Sequence, residues 1–290
     1  MSNLAPSLGF RATGALVGLA AGRALARGPS SDGTLALIRI LAEELAAGRR
    51  DVRALAQRWA GRYRDAPDDV DVETGVALMH LARHDSPPSR AAGAGSDPLA
   101  RAVPVALAAF DTPRVLVSAT YHIAALTHPE PIVAWSAVAV NVAVARFLQG
   151  KRDFVPDVIE ALRSNDVPEA LLTAVRQVPL PERALDAQPI SVPGRALDDA
   201  VAALRLAYHE PLLERGLRTM SQGGAQAAGR TGLAGALLGA RAGSGAIPSA
   251  WTSPDERALL AALAVRLVRT DPAGTAARPA ESPAGSTPSS

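Results

Sequence analysis

Apolar residues three and four apart recur along most of this chain, separated by short polar breaks. Between Asp32 and Ala46, Leu35, Ile38, Leu41 and Leu45 fall on one stripe, which predicts an amphipathic helix. Val52, Leu55 and Trp59 repeat the pattern over Asp51–Trp59. Ser253-Pro254-Asp255-Glu256 reads as an N-cap, a first-turn proline and two acids on a helix dipole. Leu259, Leu260, Leu263 and Leu267 then supply a buried face, with Arg266 and Arg269 at its closing turn. No run of alternating β-branched residues bounded by turns occurs. The predicted fold is all-α, a compact orthogonal bundle of helices.

The breaks are as informative as the stripes. Asp85–Asp97 and Gln177–Gly194 read as mobile loops by composition, and Asp271–Ser290 as a disordered tail of Pro, Ala, Ser and Gly. With no solenoid period, a single helical domain over residues 8–270 is expected. The best apolar run, Ile132–Ala145, carries Asn141 and falls short of the ~20 residues that a bilayer needs. Ala12–Gly22 has the length of a signal-peptide core, but Arg23 interrupts it and only Arg11 provides a positive start. A cytoplasmic protein without a membrane partner is the expectation.

Composition narrows the chemistry. The 290 residues are 48% hydrophobic and 20% charged, a globular balance. The absence of cysteine excludes disulfides, zinc ribbons, iron–sulfur clusters and thiol nucleophiles. Aromatic residues at 3% are too few for base-stacking platforms. The pI of about 9.5 arises with a net charge of only +2, because Lys151 is the sole lysine and the other cations are arginines. No basic run stands out, so a nucleic-acid partner is not expected.

Four segments, in order, carry a resemblance. Arg11–Leu25 (RATGALVGLAAGRAL) is similar to an opening G-A-L-x-G-x-A-x-G-D-A-L helix, and Ser31–Leu37 (SDGTLAL) stands where T-D-D-T would. Gly95–Pro104 (GSDPLARAVP) resembles G-N-G-A-L-M-R-A-A-P and continues to Thr127-His128-Pro129, like a T-H-x-x-P helix pair. Gly223–Trp251 resembles G-G-D-T-D-T followed by G-A-L-A-G-A and I-P-x-x-W. Together they resemble the ADP-ribosylglycohydrolase family, which includes the dinitrogenase reductase-activating glycohydrolases. The resemblance implies an orthogonal helical bundle and two divalent cations, usually magnesium or manganese, held by the T-D-D-T and D-T-D-T aspartates.

Against that pattern this chain departs at the metal ligands. Ser31, Asp32 and Thr34 remain, but Gly33 replaces the second aspartate. Ala225, Gln226, Ala227 and Ala228 stand over D-T-D-T, and a register shifted by one, ending at Gly229, offers no carboxylate either. The family's aspartate after the first helix glycine is Arg23, and the asparagine of G-N-G is Ser96. Hard cations need several anionic oxygens, and the motifs leave Asp32 alone. Glycosidic cleavage needs charge at an oxocarbenium-like transition state and an activated water, which the family's metals supply. The expectation is therefore a pseudoenzyme, with no catalytic residues and no metal cofactor.

A ligand site can outlive the chemistry. The glycine-rich stretch from Gly223 and Gly224 to Gly232 offers backbone N–H groups to a pyrophosphate, and Arg23, Ser96 and Arg230 could add contacts. The plainer reading, which we favour, is that the small residues permit close helix packing and both arginines reach solvent.

Other candidates read as structural. His80 and His84 sit four apart like zinc ligands, but Leu81 replaces the glutamate of H-E-x-x-H, and two surface histidines at a helix end are expected. His128 is expected to position a helix start, and His122 to be packed or half exposed. Ser31 or Asp32 suits an N-cap as well as a vestigial ligand. Asp68-Asp69-Val70-Asp71 lacks an EF-hand's glycine and terminal glutamate and reads as a solvated loop. No G-x-S-x-G or Walker loop occurs, although Gly243-Ser244-Gly245 superficially invites the former.

Three functions remain open. The leading one is a non-catalytic member of the family that binds ADP-ribose, an ADP-ribosylated protein or another protein partner. The second is a divergent metal-dependent hydrolase using Asp32, Ser31 and Thr34 with one ion, and the third an interaction scaffold.

Overall fold

The computed structural model describes residues 6–28, 32–84, 86–89, 93, 95–181 and 195–269. Ser31, most of the 177–194 segment, part of the 85–97 segment and the 271–290 tail lie outside the described residues. In chain order the helices are α1 (Leu8–Arg27), α2 (Gly33–Ala46), α3 (Val52–Asp65), α4 (Val72–His84) and α5 (Asp97–Ala108). They continue as α6 (Pro113–Ala125), α7 (Pro131–Leu148), α8 (Val155–Arg163) and α9 (Glu169–Arg176). The last four are α10 (Ala196–His209), α11 (Leu213–Met220), α12 (Ala228–Ala242) and α13 (Pro254–Leu267). Among the described residues there is no β-sheet, and the all-α expectation holds.

The helix starts follow the side chains that cap them. Asp32 Oδ1 accepts from the N–H of Leu35 at 3.2 Å, Asp51 Oδ1 from those of Arg53 and Ala54, and Ser253 Oγ from that of Glu256. Within the predicted stripes Leu35, Ile38, Leu41, Leu55 and Trp59 are buried, whereas Val52 in the first turn of α3 is exposed. The Trp59 indole donates to the Leu37 carbonyl at 3.0 Å, which fastens α3 to α2.

The middle of the molecule is α7. The apolar run read as 14 residues extends to the whole of Pro131–Leu148, because Pro131, Arg146, Phe147 and Leu148 continue the turn without a break. By length and composition this helix could cross a membrane, yet it is buried along most of its length by its neighbours. Asn141, which made the run look interrupted, is buried and donates to the Ala102 carbonyl at 2.8 Å and to Thr120 Oγ1 at 2.9 Å.

The closest helix pair is α1 against α12. Gly14, Gly18 and Gly22 are four apart and share one face of α1. A Cβ on Gly18 would fall on the Gly235 carbonyl, and one on Gly14 on the Gly239 carbonyl. The two backbones touch there, as the packing reading of these glycines expects. That contact brings the end of α1 beside the start of α12.

Candidate functional site

The four motif segments meet at one end of the bundle. Arg23, in the last turns of α1, is 2% exposed, and Gly232 of α12 leaves room for its side chain. Its Nε donates to Asp32 Oδ2 at 2.6 Å and its Nη2 to Asp32 Oδ1 at 3.0 Å, a bidentate pair. Its Nη1 donates to Asp97 Oδ1 at 2.7 Å, and the Thr34 hydroxyl donates to Asp97 Oδ2, also at 2.7 Å. The expectation that Arg23 reaches solvent is therefore wrong: two carboxylates draw the guanidinium inward.

Electrostatics reinforce the geometry. Burial works against the charge of Arg23, but Asp97 and Asp32 outweigh it and raise its pKa. Burial alone would raise Asp97; Arg23, the Thr34 hydroxyl and Arg101 instead hold it well below the usual carboxylate range. Asp97 is the residue that the motif comparison passed over. Counting Asp32 as a lone carboxylate was an undercount, because the start of α5 delivers a second one.

Gly33 has a structural reason. It opens α2 against the turn before α4, and a Cβ there would lie 2.5 Å from the Asp69 carbonyl oxygen. No aspartate fits position 33 on this backbone.

A second polar group adjoins the first through Arg101, which is fully buried in α5 with its guanidinium over the Trp59 ring. Arg101 Nη1 donates to Thr74 Oγ1 at 2.8 Å and Nη2 donates to Thr127 Oγ1. Thr127 Oγ1 lies 3.0 Å from His128 Nδ1, and His128 Nε2 lies 3.3 Å from Glu73 Oε2. Glu73 Oε2 also accepts from the Gly95 N–H at 3.1 Å, and Asp71 Oδ1 caps α4 through the Thr74 N–H at 2.7 Å.

The ligand atoms of Asp71, Glu73 and His128 all lie within 4.8 Å of one another. Burial, helped by the Arg101 charge, pushes His128 down to about 3, so its imidazole is neutral at pH 7. Burial raises Glu73 and Asp71. The 68–71 acidic run is thus no plain solvated loop: Asp69 pairs with Arg62 at 2.9 Å, and Asp71 turns inward to cap α4. His128 does precede α7, as expected, but it also closes this relay.

The remaining candidates fall as follows. Arg230 is half-buried and donates to the buried Asp199 at 2.9 Å, so it too fails to reach solvent as expected. Ser96 is buried, and its Oγ fills the space beside Gly229. Gly223 and Gly224 are exposed in the tight turns Ser221–Ala227 that precede α12, where Gly224 takes a φ of +63°. Ala225 and Gln226 are exposed there and Ala227 and Ala228 are buried. His80 and His84 stack at 4.5 Å at the end of α4, His84 exposed and His80 half-buried. His122 is exposed on α6, not packed or half exposed as expected, and places Nδ1 2.7 Å from the Ser118 carbonyl. An apolar groove lined by Leu41, Leu55, Leu81, Val105 and Ile123 includes, of the candidate residues above, only His122.

Comparison with known proteins bears on the family and the fold. The profile of the ADP-ribosylglycohydrolases matches residues 5–276. No curated protein matches the chain. A solved structure described as an ADP-ribosylglycohydrolase-related protein complex is similar at a TM-score of 0.75 and 25% identity, over 91% of this chain and 99% of that one. With a family profile spanning nearly its whole length and the fold to match, this chain belongs to the ADP-ribosylglycohydrolase family.

Proposed function

We propose that this protein is a pseudoenzyme of its family, which recognises an ADP-ribose-bearing ligand or an ADP-ribosylated protein without hydrolysing it. The observation that carries the reading is the Arg23 fork between Asp32 and Asp97. The family's two cations need carboxylates that are free to coordinate. Here Asp32 and Asp97 are both bonded to one guanidinium of the same chain, which offsets one of their two negative charges. A divalent ion placed about 4 Å from that guanidinium would meet a repulsion on the order of 8 kcal/mol at an effective dielectric of about 20. Gly33 and the Ala225–Ala228 stretch supply no further anionic oxygen. The residues present do not fit a metal pair, and no hydrolytic step is derived through one.

What is left is a scaffold in which one guanidinium already bonds both carboxylates. Arg23 supplies a permanent positive charge there and holds α1, α2 and α5 together. The reading sets the protein in the cytoplasm, with neither nucleic acid nor membrane among its partners.

Thermal melting with ADP-ribose, in EDTA and in manganese chloride, tests this. The same upward shift in both buffers is expected, scaling with ligand concentration over Kd. A shift that requires manganese, accompanied by release of ADP-ribose from a modified arginine, would overturn it. No shift in either buffer favours the scaffold reading instead. A divergent hydrolase remains the second reading, favoured by one observation: the Asp71, Glu73 and His128 group.

A further inference from the structure

We propose that Asp71, Glu73 and His128 form a mononuclear site for a divalent transition-metal cation, separate from the Asp32 and Asp97 carboxylates that Arg23 occupies. The donors would be Asp71 Oδ2, a Glu73 carboxylate oxygen and His128 Nε2. The inference does not rest on the reading of Arg23 as a metal substitute.

Geometry comes first. Two ligands about 2.1 Å from a shared tetrahedral ion lie about 3.4 Å apart. Glu73 Oε2 and His128 Nε2 are already 3.3 Å apart, and the Asp71, Glu73 and His128 ligand atoms, a carboxylate oxygen of Asp71 among them, all lie within 4.8 Å of one another. Small rotations of the Asp71 and Glu73 side chains close the set.

Satisfaction of polar groups comes second. Asp71 Oδ2 is buried with no hydrogen-bond partner among the described residues. Buried carboxylate oxygens are almost always paired, so this one lacks a cation or a donor. The Nη1 and Nη2 of the buried Arg101 go to Thr74 and Thr127 and not to either carboxylate. Asp32 and Asp97 have their cation bonded in Arg23; Asp71 feels the Arg101 charge through space with no hydrogen bond to it.

The support around the site comes third. A metal-bound histidine usually gives its other ring nitrogen to an oxygen that fixes its orientation. Thr127 Oγ1 stands at 3.0 Å from His128 Nδ1 and is itself held by Arg101. The imidazole is neutral, as a ligand must be. One nitrogen and two carboxylates suit zinc or manganese better than calcium. Glu73 brings the group to the edge of the fold, its side chain 34% exposed.

Zinc chloride titrated into tag-free, EDTA-stripped protein, followed by calorimetry and thermal melting, tests the site. One equivalent is expected to bind and raise the Tm. Glu73→Gln and Asp71→Asn are each expected to weaken it tenfold or more while keeping the helical circular-dichroism spectrum. Asp32→Asn is expected to leave it unchanged. Cobalt substitution should give a visible absorption band that changes in His128→Gln. Absence of uptake, uptake indifferent to Glu73→Gln and Asp71→Asn, or uptake abolished by Asp32→Asn would each overturn the assignment.

Discussion

Arg23 and Asp97 lie 74 positions apart in the sequence and 2.7 Å apart in space. The pair, with Asp32 on the other side of the guanidinium, ties the end of α1 to the starts of α2 and α5. Breaking it should cost more than it would to have built an apolar contact there, because it strands two largely buried carboxylates. Arg23→Ala is expected to lower unfolding free energy by about 3 kcal/mol. Arg23→Lys should recover only part, since a point ammonium cannot fork between two carboxylates. Urea midpoints at pH 7 check both.

The touching backbones of α1 and α12 predict a sharp contrast between glycines. Gly18→Ala places a methyl against the Gly235 carbonyl, where neither helix can yield without the other. A loss of about 2 kcal/mol or more is expected, the upper part of the range for overpacking. Gly61, in the middle of α3, has its nearest obstacle at 3.9 Å, the tip of the Arg64 side chain. Gly61→Ala is expected to stabilise by about 0.5–1 kcal/mol through helix propensity. Denaturation of the two variants side by side tests the packing account.

Much of the fold was legible because it is written in local chemistry. Asp32, Asp51 and Ser253 mark helix starts by their hydroxyl or carboxylate oxygens, and the leucine stripes mark the faces those helices bury. The glycine spacing of α1 and α12 was legible as close packing for the same reason. The charged site was not, because its pairing is long-range. Arg23 stood out as a departure from the family pattern, but Asp97, 74 positions away, did not, and nothing local pairs the two. Asp71 and Glu73 were hidden in a polar stretch whose period carries no stripe, and nothing local points them at His128, 55 positions from Glu73.

Acid should loosen the fold through His128. Its folded pKa of about 3 lies below the ordinary 6.5, so the unfolded chain binds a proton that the folded chain refuses. Stability is therefore complete above pH 6.5 and falls as pH drops towards 3, by up to about 1.4 kcal/mol per pH unit. Asp97, held low by Arg23, adds a loss of the same sign at lower pH. Glu73 and Asp71 are raised and oppose the trend as they take up protons, so the histidine's share is read as the difference from His128→Gln between pH 7 and 5. Wild type is expected to lose about 2 kcal/mol more than His128→Gln across it, read from urea midpoints at each pH.

The central claim is that a guanidinium stands where the family keeps its cations, and crystals soaked in manganese chloride test it most directly. Anomalous difference maps are expected to show no manganese between the Asp32 and Asp97 carboxylates, with Arg23 still bonded to both. A manganese peak within about 2.2 Å of those oxygens, with Arg23 displaced, would contradict the account.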